Sequence, residues 1–475
     1  MWEWLGTDFL STDFTFAREV LQRGIGAVYV IAFIAALRQF PALLGERGLL
    51  PAPRFLGLVS ARQAPSLFHW RYSDRLLRTV ACFGLVLAAA VIAGLPQTGP
   101  WWVPMLVFLA LYGLYLSIVN IGQVFYGFGW ESLLLEAGFL AAFLGSQQTG
   151  VPLVTLFAFR WLLFRVEFGA GLIKLRGDQV WRDLTALDYH HQTQPMPGPL
   201  SWFFHHLPRP LHRIEVLANH VVQLLVPVLL FLPQPIATWA AGTVVITQMW
   251  LVLSGNFAWL NWVTILFAFA AVSNDVLGFA PARFGPAEGA SAPALGLVAA
   301  GLGVFILALS GRPALNLLSR RQRMNFSNPW HLVGSYGAFG SITRRRQEVI
   351  IEGTLEADPQ GAAWEEYELP GKPGSPGRWP RQIAPYHLRL DWGMWFLALG
   401  SSAQFRWFER LLQRLLEADP ATLALLSRDP FHGKAPRWVR ARLFDYRYTT
   451  PRELRERREW WHREEAATLI GPVSR

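Results

Sequence analysis

The chain has a single cysteine, Cys82, which lies inside an apolar run of its 475 residues. An intrachain disulfide is therefore excluded, as are a CxxC redox motif and a thiolate zinc site. Charge is scarce too: 16% of residues are charged and 52% hydrophobic, whereas soluble domains carry roughly a quarter charged. Met1 to Arg18 has no basic stretch leading into a short apolar core, so no cleavable signal peptide is expected, and the first apolar helix serves for targeting. There is no HExxH, no serine nucleophile elbow, no phosphate loop and no dinucleotide fingerprint. The stretch SYGAFG at 335–340 lacks the βαβ context that such a fingerprint needs. The formal charge is +10, yet no basic stretch is interleaved with stacking aromatics as single-strand binders require. Nucleic acid is therefore not an expected partner, and no cofactor is called for.

What the sequence has instead is apolar length. Blocks of about 16 to 23 residues, enough for a helix to cross hydrocarbon, fall near 20–37, 79–95, 101–120, 124–144, 151–173, 214–233, 236–255, 257–272 and 293–310. The expected class is an all-α polytopic membrane helical bundle of about eight or nine spans, over residues 1–310 with loop 174–213 included. The 22 Trp and 33 Phe suit interfacial belts and lipid-facing surface, which makes membrane lipid an expected partner. Pro227 lies within a block and predicts a kink. The connection 38–78 is basic and Pro-bearing, and loop 273–292 is Gly/Ala/Pro-rich and flexible by composition. From Arg312 the apolar pattern fades, and a mixed, β-containing soluble domain is expected over 311–475. Within it 348–355 and 363–369 read as strands, 391–400 and 407–418 as helices, and 453–465 as a charged, solvated helix. The connections 38–78, 174–213 and 312–323 are rich in Arg and Lys, and the intervening short ones are uncharged. With nine spans the positive-inside rule puts the C-terminal region in the cytoplasm.

The stretch 160–199 concentrates the charges that a bilayer makes costly. Arg160, Arg165, Glu167 and Lys174 require partners or a purpose. Arg160, Glu167 and Lys174 recur every seven residues, about two helical turns, so they share one side. Gly169, Ala170 and Gly171 between them admit a close neighbour. The preceding block carries Glu131 and Glu136. Matched distances either side of a turn near Gln147–Gln148 predict the buried pairs Glu136–Arg160 and Glu131–Arg165. Glu215, Asn219 and Gln223 recur every four residues as a polar stripe that bonds across helices or lines a cavity. The histidines at 190, 191, 205, 206, 212 and 220 have no chelating spacing, so no metal site is expected. In the loop, Arg176, Asp178, Trp181, Asp183 and Asp188 form a motif whose aspartates anchor it to backbone N–H groups or arginines. Lys174, at the membrane boundary, either snorkels to headgroups or, if desolvated, acts as a base.

The blocks RWLLFRVEFGAGLIKLRGDQVWRDLTALDYHHQTQPMPGPLSWFFHHLP, RIEVLANHVVQLLVPVLLF, SGNFAWLNW, NPWHLVGSYGAFGSITRRRQEVIIEGT, RWPRQIAPYHLRLDWGMWFLALG and DPFHGKAPRWVRARLFDYRYT occur in this order from Arg160 onward. Together they resemble the lipase maturation factor family. The resemblance implies a non-enzymatic polytopic factor, resident in the endoplasmic reticulum of animals, that helps secreted lipases fold and assemble as active dimers. Ala/Arg-rich usage points to a bacterial member and so to an inner membrane. The resemblance implies that the C-terminal region faces the exported side, opposite to the charge rule. On that side Asp391, Trp392 and Trp395 become client-facing candidates, the alternative being the packed end of an amphipathic helix. A more local similarity joins GAGLIKL to the membrane domain of vitamin K-dependent carboxylase relatives. It implies an alternative, a membrane enzyme with Lys174 as base, assisted by His190 and His220.

Overall fold

The computed structural model describes residues 10–278, 292–319, 324, 326–337, 339–401 and 405–475. Most of the expected flexible loop 273–292, and 320–323 of the basic stretch, lie outside the described residues.

A helix stands at each expected apolar block. The series begins with α1 Thr15–Leu44, α2 Asp74–Ala93, α3 Trp102–Asn120, α4 Gly129–Ala141 and α5 Leu153–Arg176. The polar loop supplies α6 Leu187–Thr193 and α7 Ser201–His205. Then come α8 Arg209–Leu224, α9 Val226–Leu229, α10 Ile236–Ser254, α11 Leu260–Ala268, α12 Pro293–Leu309 and α13 Gly311–Leu318. Local chemistry sets the boundaries. The Ser73 hydroxyl accepts from Leu76 N–H at the start of α2, and Gly94, with φ 81°, ends it. Pro227 cannot donate to the carbonyl four residues back, and the helix breaks there into α8 and α9.

Among the described residues, α1, α2, α3 and α10 are long and apolar enough to cross a membrane. The pair α12–α13, bent by 41°, would make a fifth span. Length and composition thus support four or five spans rather than the eight or nine expected. With 13 and 9 residues, α4 and α11 fall short of the roughly 20 that hydrocarbon thickness demands. Helix α5 is long enough but carries the charges described above.

The C-terminal region is built on an antiparallel sheet of β1 Arg346–Thr354, β2 Glu365–Tyr367, β3 Trp438–Tyr448 and β4 Trp461–Val473, in the order β2-β1-β3-β4. Helices α14 Arg389–Ala398, α15 Phe405–Leu416 and α16 Pro451–Arg457 accompany it, with a single helical turn at Pro420–Leu423. Helix α15 buries Trp407, Phe408, Leu411, Leu412, Leu415 and Leu416 on one stripe. The tail corrects the sequence reading, because only its first turns are helical. A capping box between Thr450 and Glu453 starts α16, and Arg458, left-handed at φ 55°, stops it. The charges beyond it form cross-strand pairs, Arg442–Glu465 at 2.7 Å and Arg463–Glu366 at 2.6 Å. A strand partner, invisible to local pattern, decided the conformation.

One hydrophobic core runs through both regions, from Phe14 to Ala441. The extended segment 332–337 lies along α5. A Cβ on Gly169 would stand 2.0 Å from the Tyr336 carbonyl oxygen, so glycine there permits the contact. Gly171 does the same for Gln223 and Leu224 of α8.

Candidate functional site

Helix α5 is the hub, and the C-terminal region completes its surroundings. Arg165 pairs with Glu136 of α4, both about 1% exposed. Glu136 also accepts from Tyr336 Oη at 2.9 Å, and Arg165 donates to the Gly334 carbonyl at 2.6 Å. Glu131 pairs with Arg389 of α14 at 2.6 Å and accepts from Tyr115 Oη at 2.5 Å, with His387 Nδ1 at 3.4 Å. Arg389 is also seated over the Tyr126 ring, 3.4 Å from its centroid. Among the described residues Arg160 meets no carboxylate. It donates to the Ala270 carbonyl at 3.0 Å and lies over the Phe157 ring at 4.9 Å.

The expected pairs Glu136–Arg160 and Glu131–Arg165 are therefore corrected. Matching depths assumed two helices meeting at a tight turn, but α4 ends at Ala141 and α5 begins at Leu153. The connection between them folds inward, where Arg18 donates to the carbonyls of Ser146 and Thr149 at 2.5 and 2.7 Å. Residue counts across such a connection do not convert to depth at 1.5 Å each. Arg389, more than 200 positions downstream, could not enter a pairing argument confined to neighbouring helices.

The loop after α5 is tied down at both ends. Arg176 donates to the Leu317 carbonyl at 2.7 Å. Asp178 caps the short helix Gln179–Arg182 through Val180 N–H and takes both guanidinium nitrogens of Arg344, at 2.6 and 2.8 Å. Those bonds hold its carboxyl below the usual range. Trp181 Nε1 donates to the Phe339 carbonyl at 2.9 Å. Asp188 stands 3.3 Å from His212 Nδ1 and 4.0 Å from Arg209. Asp183 contributes its backbone N–H to the Gln179 carbonyl at 2.9 Å, closing the short helix. Further along, the buried Arg346 donates to the Gln192 and Gln194 carbonyls at 2.8 and 2.5 Å. It also pairs with Glu348, which holds Lys372 at 2.8 Å. The sheet thus grips the loop from beneath.

Between α5, α8, α10 and α11 lies a cavity of about 910 Å³. Its walls are apolar, with Val166, Phe257 and Leu260 among them. Its polar floor comes from four helices. Lys174 Nζ donates to Asn219 Oδ1 and Gln223 Oε1, both at 2.8 Å, beneath the Trp181 ring at 4.9 Å. Glu167 accepts from Gln248 Nε2 at 2.6 Å, and Gln248 accepts from Asn261 at 2.7 Å. Of the series spaced by seven, Glu167 and Lys174 face this space, whereas Arg160 is not among the lining and points to the Ala270 carbonyl. The polar stripe of α8 both lines the cavity and bonds across helices. Gln248 and Asn261 escaped the sequence reading, although an amide inside an apolar run is the signal that would have flagged them.

Of the three residues named for catalysis, Lys174 and His190 line the cavity and His220 does not. His220 Nε2 is 3.0 Å from the Trp181 carbonyl, facing the loop. The client-facing assignment is also corrected. Asp391 and Trp392 are 1% and 2% exposed. Asp391 accepts from Gly371 N–H at 2.6 Å, and burial pushes its carboxyl up to about 7. Trp392 packs on Trp130, with ring centroids 4.8 Å apart. Trp395 is half-buried and donates to the Thr193 carbonyl at 3.2 Å. The segment LDWGMWF is a helix packed against α4 and the loop, in which Asp391 and Trp395 are hydrogen-bonded and the buried Trp392 Nε1 is left without a partner.

Two family descriptions match this architecture. "Lipase maturation factor transmembrane domain" covers residues 16–279, and "Lipase maturation factor C-terminal domain" covers 332–471. The chain belongs to the lipase maturation factor family. It is 40% identical to lipase maturation factor 1 of Bos taurus over 97% of this chain and 90% of the relative. Against lipase maturation factor 1 of Homo sapiens it is 40% identical over 97% of this chain and 88% of that one. It is 28% identical to human lipase maturation factor 2, over 96% and 82%. No solved structure matches the chain. Membership of this family agrees with a helical membrane region joined to a strand-bearing C-terminal region. The carboxylase-type reading of Lys174 finds no support in these matches.

Proposed function

We propose that this protein is an integral membrane factor that assists the folding or assembly of secreted clients, lipases being the class its relatives' name indicates. The observation that carries this reading is similarity at 40% identity across 97% of the chain, through both regions. The buried charges Glu131, Glu136, Arg160, Arg165 and Glu167 then hold the bundle and the C-terminal region as one unit. In this reading residues 1–310 are embedded and 311–475 stand mostly outside the hydrocarbon. Helices α4, α5, α8–α9 and α11 complete a set of eight or nine buried segments, the chain residing in a bacterial inner membrane. Exported clients require the C-terminal region on the exported side, and a reporter fused after Arg475 that is active only in the cytoplasm would reverse that assignment. The functional test is expression of the full chain in cells lacking their own maturation factor, together with a secreted lipase. The expected result is a rise in lipase activity per mass of secreted lipase. An unchanged specific activity, with the chain correctly inserted, removes the proposal.

A further inference from the structure

The cavity on α5 opens sideways. Ile214 of α8 and Ile246 and Trp250 of α10 belong to its lining, yet they are 61%, 73% and 43% exposed, so they form a mouth between the two helices. Helix α10 is one of those able to cross a membrane, and the mouth therefore meets hydrocarbon. At about 910 Å³ the cavity lies within the roughly 300–1,000 Å³ typical of ligand pockets. Its apolar walls and few convergent polar groups have the make-up of such pockets. A ligand entering from the bilayer is apolar along most of its length. One that reaches the floor meets hydrogen-bond donors: Lys174 has three N–H bonds and places two on Asn219 and Gln223. The Asn219 amide, which accepts from Lys174 through its oxygen, presents its nitrogen as a further donor.

We propose that this cavity binds one acyl chain of a membrane lipid, with the oxygen at the head of the chain accepting from Lys174 and Asn219. The head is an ester carbonyl or a free carboxylate. Glu167 stands on the same floor, and a ligand carboxylate beside it would put two acidic groups in one buried space, which favours the uncharged ester. The site needs no client, so its failure would leave the maturation role untouched, and the converse also holds.

The test uses the full chain in lipid nanodiscs carrying a trace of phosphatidylcholine with a diazirine in its palmitoyl chain or, in a parallel arm, diazirine palmitate. After irradiation, labelled peptides are mapped by mass spectrometry. The expected result is label on the interior residues Val166, Ala170 or Leu260, competed by unlabelled phospholipid. Ala170→Trp, which narrows the cavity, and Lys174→Met, which removes the donor, should each lower interior labelling several-fold while outward labelling at Phe83 and Val86 persists. Persistent outward labelling and a wild-type melting transition identify variants that have folded, and Lys174→Met keeps the test open if Ala170→Trp does not. Interior labelling by phosphatidylcholine supports the ester, and by palmitate alone the free acid. Label confined to outward residues with both probes, or interior label unchanged in folded variants, overturns the proposal.

Discussion

At the residue scale, the bundle is governed by buried charges and by who neutralises them. Glu136 is the counter-ion of Arg165 and also binds Tyr336. Glu136→Gln keeps the shape and removes the charge, leaving a guanidinium buried without an anion. That loss should cost about 3–5 kcal/mol, seen as a lower thermal transition in detergent. The double variant Glu136→Leu/Arg165→Met should recover most of it, because deleting both charges removes the desolvation penalty along with the pair. A single variant as stable as wild type would show that the pair contributes nothing.

At the element scale, the histidine-bearing loop is the part that should respond to acid. Burial pushes the His205 imidazole down to about 4 and holds His191 well below its ordinary value. Both lie in the loop helices, outside the spans. A histidine with a depressed folded pKa is neutral when folded. The unfolded chain then binds more protons, and stability falls as pH drops from about 6.5 towards 4. Asp391, pushed up to about 7, acts in the opposite sense as pH rises from about 4 to 7. A comparison with His205→Gln therefore isolates the loop. Between pH 7 and pH 5 the wild type should lose more thermal stability than the variant, and equal losses would exclude His205. Proteolysis should report where acid opens the chain, with cuts appearing first in 187–206, which Trp202 ties to the Thr449 carbonyl at 2.9 Å.

On the scale of the whole molecule, the two regions are not separable modules. Arg389 neutralises Glu131, and the segment at Gly334 and Tyr336 satisfies Arg165 and Glu136. A chain ending at Leu318 would leave Glu131 buried without its cation. It should fail to accumulate in membranes, or unfold at markedly lower temperature, than the full chain. Arg389→Gln in the full chain should reproduce part of that loss. A truncated chain that purifies as a single species with the stability of the intact protein would show that the helical region stands alone.

The sequence by itself determined the long apolar helices and two of the four strands of the sheet, because hydrophobic blocks, prolines and caps act over a few residues. It determined that the charges on α5 needed partners, that Glu167 and Lys174 share a face, and that Gly169 and Gly171 mark close approaches. Collinear motifs also carried the family. The tertiary structure alone decided which charge meets which. Arg165 and Arg389 reach their carboxylates through a folded-in connection and a distant helix, and no periodicity records either. It decided that Asp391 and Trp392 face inward, since their partners Gly371 and Trp130 come from elsewhere in the chain. It made 461–473 a strand by supplying β3 beside it, and it assembled a cavity whose floor draws on four helices. Local pattern acts through neighbours in sequence, whereas burial and charge pairing act through neighbours in space, and only folding establishes who those are.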